Sequence, residues 1–316
     1  MISSPSNIAL IKYMGKIEGS GNKPTNASLS YTLDHLRTYI QIQPSVKIDS
    51  WSPLQADKIQ TLNLSDKGQE KFLNHFRFLK NQWKIDNQFF KIQSGNNFPS
   101  DCGLASSASS FSALTLAAAE VFQKINPQSF GEDIKELSKL SRKGSGSSCR
   151  SFYAPWALWK EEFAESVPLT QKLHSSVVIL ESGKKSVSSS EAHVRVLTSP
   201  RFQGRVQRAE LKLKDLMISI QAQTWKESFS IIWDELWDMH DLFHTAKPGF
   251  TYLTDESKEI LSALESQWKK QNHGPWITLD AGPNIHLLFN DEDLKWAKTY
   301  MKQFNNYTVI NSWDQK

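Results

Sequence analysis

Apolar positions in the first third of the chain follow two different periods. Residues 8–11 form a short apolar run, and 29–33 and 38–42 alternate apolar with polar side chains, the two-residue period of a strand. Across 70–83 the spacing lengthens: Phe72, Leu73, Phe76, Leu79 and Trp83 fall on one side of a predicted amphipathic helix. A strand is predicted at 89–92 and a turn at 96–99, leading into a strongly apolar helix over 105–124. A second helix, 134–140, runs into a loop at 143–148. Beyond a soft boundary at 165–173, with a buried strand expected at 176–180, the pattern predicts helices at 205–223, 226–243 and 257–271. Strands follow at 276–280 and 286–289. Strands mixed with helices, without regular strand–helix–strand spacing, argue for an α+β fold rather than a doubly wound sheet.

Composition narrows the function classes. The 316 residues suit two domain-sized units or one two-lobed enzyme. Hydrophobic residues make up 39%, enough for a sizeable core, and 22% are charged, which argues against disorder. Thirty-seven basic against 33 acidic residues leave a net charge of +4; with no long basic block a dedicated nucleic-acid binder is not expected, and a small anionic substrate suits the charge equally well. Two cysteines, Cys102 and Cys149, make no disulfide framework and suit a reducing cytoplasm. Residues 1–16 lack the pattern of a secretory signal. The apolar stretch 113–122 falls short of the ~20 residues that span a bilayer, so no membrane association is expected.

Four segments can carry chemistry. In Gly103-Leu104-Ala105-Ser106-Ser107-Ala108, small residues at a helix start let backbone N–H groups approach an anion, with hydroxyls to assist; the same residues also suit a plain serine N-cap. Gly144-Ser145-Gly146-Ser147-Ser148-Cys149-Arg150 reads either as an anion nest with a bidentate arginine or as a flexible turn. Lys12 and Lys16 flank Tyr13 and Gly15 in residues 7–16, a pattern shared with a surface strand of snorkelling lysines. Asp280-Ala281-Gly282-Pro283-Asn284 places a carboxylate at a strand end or in a simple turn. His240 and His244 lie four apart on a helix but lack the glutamate of a zinc-protease motif, which points to packing or capping.

Taken together and in this order, the stretches NIALIKYMGK (7–16), PTNASLSYTL (24–33), NNFPSDCGLASSAS (96–109), RKGSGSSCRS (142–151), FTYLTDES (250–257) and TLDAGPN (278–284) resemble the diphosphomevalonate decarboxylase family of the GHMP kinase superfamily. They span nearly the whole chain. The resemblance implies a two-lobed α+β fold with a cleft between an ATP-binding lobe, 1–168, and a second lobe, 169–316, that carries the catalytic aspartate. It implies ATP and Mg²⁺ as cofactors, a cytoplasmic homodimer, and decarboxylation of (R)-5-diphosphomevalonate to isopentenyl diphosphate. By position, Asp280 matches the catalytic aspartate, Arg150 the arginine on the substrate carboxylate, and Lys12 a lysine at the reacting centre. Asn7, Tyr13, Lys16, Arg77, Ser145 and Ser147 match substrate contacts. Gly103, Ala105, Ser106 and Ser107 fall in the phosphate loop, with Ser107 a metal ligand. Departures from the pattern are Met14 for a usual Trp, Asp101-Cys102 before the phosphate loop, Ala192-His193 for a usual Gly-Met, and a shortened stretch at 243–250. Two other readings are a related kinase or decarboxylase acting on mevalonate or its 5-phosphate, and a non-catalytic anion-binding protein on a decayed fold. The second would be expected to lack Asp280 or Arg150, and both remain.

Overall fold

A computed structural model describes residues 1–99, 104, 106–128, 133–180 and 187–314. Gly103, Ala105, Asp101 and Cys102 therefore lie outside the described residues. Among those described, eleven strands form two sheets, and eight α-helices pack on them.

The first sheet has seven strands: β1 (Ile2–Ile11), β2 (Ser28–Ser45), β3 (Ser50–Pro53), β4 (Gln60–Thr61), β5 (Phe89–Asn96), β6 (Trp156–Lys160) and β7 (Phe163–Ser166). It is antiparallel except where β3 runs parallel to β5. The sequence predicts two strands at 29–33 and 38–42, whereas the structure has one, β2. The register on β1 slips between Pro5 and Ser6, whose partners are Arg37 and Leu33, so residues 34–36 form a bulge that the alternation hides. Pro5, which has no N–H to give a ladder, sits at that irregularity.

Three helices cover this sheet: α1 (Asp66–Gln82), α2 (Ser106–Ile125) and α3 (Ile134–Gly144). The predicted apolar side of α1 is the buried one, with Phe72, Phe76 and Leu79 in the same core as Trp83, Phe90 and Phe122. Helix α2 is pinned to the strands by buried hydroxyls: Ser112 donates to Ser4 Oγ (2.7 Å), and Thr38 Oγ1 pairs with Ser109 Oγ (2.7 Å). The segment 143–148 is not the predicted loop. Helix α3 continues to Gly144, and a 3-10 helix spans Gly146–Phe152. Serine hydroxyls hold this tight path, Ser138 on the Cys149 carbonyl (3.0 Å) and Ser148 on the Ser145 carbonyl (2.6 Å).

The chain passes to the second sheet between Ser166 and Leu173. Its strands β8 (Leu173–Ile179), β9 (Trp276–Thr278), β10 (Ile285–Asn290) and β11 (Thr308–Asn311) run in the order β11-β8-β10-β9, all antiparallel. Around it lie α4 (Ser189–Arg195), α5 (Arg205–Gln221), α6 (Trp225–Thr245), α7 (Asp255–Gln271) and α8 (Leu294–Tyr300). One continuous core joins both sheets, from Ile8, Leu10 and Leu29 to Leu216, Leu236, Ile277 and Leu287. The ends of β1 and β9 therefore have a fixed relation, and that relation positions the site. No described helix is long and apolar enough to cross a membrane.

Candidate active site

Lys12 follows β1 directly and is 2% exposed at its side chain, so it is no snorkelling surface lysine. Its Nζ donates to Asp280 Oδ1 at 2.8 Å. Asp280 stands just past β9 with a quarter of its side chain open, enough for a substrate to reach it. Burial would raise the Asp280 pKa, but Lys12 first, and Arg150 after it, outweigh it and hold the carboxylate below its usual range. Burial pulls the Lys12 ammonium below the ordinary lysine value, against the pull of Asp280 and Glu235. His240 on α6 and His286 on β10 flank this pair, fully buried and without hydrogen-bond partners among the described residues. Burial pushes them down to about 3 and about 4, so both are neutral.

Three contacts fix the Lys12 backbone. Its N–H donates to Glu235 Oε1 (2.9 Å), and its carbonyl accepts from Arg205 Nη2 (3.1 Å) and Asn26 Nδ2 (3.0 Å). Glu235 and Arg205 pair with each other, and Asp238, Arg208 and Lys212 extend the network across α5 and α6. The sequence reading missed this support. The available signal was Glu235, a charge between Ile232, Leu236 and Met239 on the buried face of α6. Glu235→Ala is expected to lower unfolding stability by about 3–5 kcal/mol, because it leaves a buried arginine under-compensated. Urea unfolding with an unchanged slope checks this; a loss below about 1 kcal/mol would mean that the network contributes little.

Arg150 lies in the 3-10 helix and is 2% exposed. Its Nε donates to Asn7 Oδ1 (3.0 Å) and its Nη1 to Ser28 Oγ (3.0 Å). Nη2 makes no hydrogen bond among the described residues, which leaves an edge of the guanidinium for an incoming anion. Asn7 is fully buried and donates to the Ser147 carbonyl (3.2 Å) and Ser151 Oγ (2.8 Å). Both polar ends of Asn7, expected among the substrate contacts, are used by protein here, its Oδ1 by the Arg150 guanidinium.

Tyr13 packs on Trp159, ring centroids 4.5 Å apart, and on His193 at 4.0 Å. Its hydroxyl donates to the Asn22 carbonyl (3.4 Å), and Lys16 Nζ reaches Asn22 Oδ1 (3.4 Å). Gly146 is required here: a Cβ would lie 2.8 Å from the Tyr13 ring and 2.9 Å from that of Trp159. Gly15 has φ +94°, and a Cβ there would press on Phe202 and Thr25. Met14, by contrast, is buried with Met239, Phe243 and Tyr252, so this departure changes packing rather than a substrate contact.

Arg77 is the predicted site residue that the structure does not bring in. It is exposed and donates to Asn74 Oδ1 (2.9 Å), about 200° around α1 from His75. Lys71 is also exposed, but its Nζ lies 5.2 Å from the Phe111 ring centroid, and desolvation and then repulsion from Lys16 lower its pKa. Cys149 is fully buried with its pKa pushed up to about 12 by burial, so its thiol is unreactive in the fold and is not one that a bound nucleotide can shield.

The described part of the phosphate loop suits phosphate oxygens. Ser106 and Ser107 open the twenty-residue α2, whose first-turn N–H groups lack intrahelical partners. Ser107 is exposed, and Ser145 Oγ donates to its Oγ (3.2 Å), linking the two Gly/Ser segments. No group of three His, Cys, Asp or Glu among the described residues could hold a metal ion. A magnesium ion at Ser107 would accordingly take most of its oxygens from phosphates and water, its common mode.

Residues 4–168 match the family model described as the diphosphomevalonate decarboxylase-like N-terminal domain, and 176–315 that of the mevalonate 5-diphosphate decarboxylase C-terminal domain. The diphosphomevalonate decarboxylase of Saccharomyces cerevisiae is 32% identical, over 100% of this chain and 83% of the relative. A crystal structure of a mevalonate diphosphate decarboxylase from Legionella pneumophila is similar with a TM-score of 0.91 at 41% identity, covering 98% of this chain and 99% of that one. MDDEF in complex with MVAPP, AMPPCP and magnesium is similar with a TM-score of 0.86 at 29% identity, covering 98% and 94%.

Proposed function

We propose, from the premise that this chain belongs to the diphosphomevalonate decarboxylase family, that Asp280, Lys12 and Arg150 carry its reaction. The activity is ATP-dependent decarboxylation in the mevalonate pathway, with ATP and Mg²⁺ as cofactors. The substrate is (R)-5-diphosphomevalonate, and the products are isopentenyl diphosphate, ADP, phosphate and CO₂. The observation that carries the assignment of residues is the Lys12–Asp280 contact, which closes the end of β1 on the end of β9 next to the guanidinium of Arg150.

ATP bound with Mg²⁺ supplies the phosphoryl group and neutralises its charge. Asp280, kept ionised, accepts a hydrogen bond from the tertiary 3-hydroxyl and takes its proton as the oxygen–phosphorus bond forms. A carboxylate with a lowered pKa is a weak base, but phosphoryl transfer develops little charge on the nucleophile until late, so orientation is its larger contribution. Lys12 stabilises negative charge at the same oxygen. When the C3–O bond breaks, phosphate leaves with the electron pair. Arg150 holds the carboxylate so that the C1–C2 bonding pair fills the vacated orbital as CO₂ departs, giving the C2–C3 double bond. Tyr13, Lys16, Ser145 and Ser147 line the remaining anionic path, and Ser106 and Ser107 face the nucleotide phosphates.

Two further parts belong to the proposal. The chain divides into lobes 1–168 and 169–316 and works as a homodimer; a cytoplasmic location is in keeping with two cysteines in 316 residues. Steady-state ADP release with mevalonate, its 5-phosphate and its 5-diphosphate tests the substrate assignment. The 5-diphosphate is expected to give the highest kcat/KM; a higher value for either other compound would move the assignment to that substrate.

A further inference from the structure

Outside the residues given roles above, one half-buried side chain has a polar atom free beside the anionic path. His193 stands on α4, 178 positions from Gly15, yet the Gly15 N–H donates to its Nδ1 at 3.1 Å. A nitrogen that accepts carries no proton, so in the neutral ring the proton is on Nε2. Burial, then the charges of Lys16 and Arg150, push the pKa down to about 3, so the ring is neutral at physiological pH. Tilted packing on Tyr13, at 4.0 Å between centroids and 32° between planes, restricts its orientation. Nε2 makes no hydrogen bond among the described residues. The result is a rigid, uncharged donor between Tyr13 and Lys16, in a place where a further cation would be repelled.

We infer that His193 donates its Nε2–H to the 5-diphosphate of the substrate and helps to select for it. The inference rests on the reading above, in which Arg150 takes the carboxylate and Asp280 the hydroxyl; the diphosphate is the anionic group left for this corner. The Gly15 contact ties the donor to the turn that carries Tyr13 and Lys16, so all three are set by one piece of backbone.

Two substitutions separate a substrate contact from a purely structural one. His193→Asn keeps an oxygen near the Nδ1 position for Gly15 and has nothing at Nε2. His193→Gln keeps an N–H donor near Nε2 and loses the acceptor for Gly15. With 5-diphosphomevalonate, the Asn variant is expected to raise KM roughly 10- to 100-fold, the range of a hydrogen bond to a charged group. Its kcat should stay within about threefold and its KM for ATP should not move, while the Gln variant stays within about threefold of wild type throughout. The dissociation constant of inorganic diphosphate, measured by calorimetry, should rise in the same order of variants, and this readout does not depend on the reaction. A near-normal Asn variant with an impaired Gln variant would overturn the inference and leave His193 as a support for the Gly15 turn. Equal impairment of both would also overturn it, since the ring rather than its donor would then matter. Failure of the unmodified enzyme to turn over the 5-diphosphate would contradict the substrate assignment instead, and the calorimetry would still decide the role of His193.

Discussion

Asp280→Asn is expected to lower kcat by at least about 10²–10⁴-fold, the range for loss of a general base, while nucleotide binding and the fold persist. The amide keeps the size of the side chain and can still accept from Lys12, so the contact that closes the two sheets is weakened rather than removed. What disappears is the negative charge that orients and finally takes the hydroxyl proton. Because Lys12 and Arg150 help to hold the Asp280 carboxylate below its ordinary range, the wild-type enzyme should show no loss of kcat/KM from its protonation between pH 8 and pH 5. The sign follows from the direction: a depressed carboxylate pKa keeps the active, ionised form down to more acidic pH. On the alkaline side the active ion pair is lost as Lys12 deprotonates, below the free-lysine value of 10.5 because burial lowers it. Near wild-type turnover in Asp280→Asn would remove this residue from the chemistry.

Arg150→Lys should lower kcat by about 10²-fold or more with little change in KM for ATP. Lysine keeps a positive charge but gives up the fixed fork whose Nε and Nη1 bind Asn7 and Ser28. An ammonium at that depth is free to sit an ångström or more from the place a bidentate contact requires, and a misplacement of that size costs about 10²-fold in rate. The buried Asn7 oxygen also loses its donor, which should reduce stability by about 1–3 kcal/mol. A changed substrate KM with an unaltered kcat would make Arg150 a binding group outside the chemical step.

The helices were the most legible part of the fold, because their apolar faces repeat over several turns. Phe72, Phe76 and Leu79, at helical spacing, mark the buried face of α1. Strands were less so: β6 (Trp156–Lys160) is buried at all but its last position and shows no alternation, and the bulge opposite Pro5 and Ser6 split β2 into two apparent segments. In the site, the motifs marked Lys12, Arg150 and Asp280, yet no local pattern says that residues so far apart meet. Glu235 and Arg205 escaped notice because their role is exercised on the backbone of Lys12, which leaves no trace near residue 12 in the sequence. Asn7 lies in the neighbourhood its motif indicates, where its Oδ1 accepts from Arg150. Arg77 stands two residues from the buried His75 along α1, so its side chain leaves the helix on the opposite, exposed side, which the short motif does not show.

The proposed coupling of 3-hydroxyl phosphorylation to loss of the carboxylate is made by one cluster. Its most direct test is the ratio of CO₂ to ADP released when purified enzyme turns over 5-diphosphomevalonate with Mg-ATP. One CO₂ is expected for each ADP throughout the progress curve. ADP release with no CO₂, and accumulation of a 3-phosphorylated product, would contradict it and make the protein a kinase.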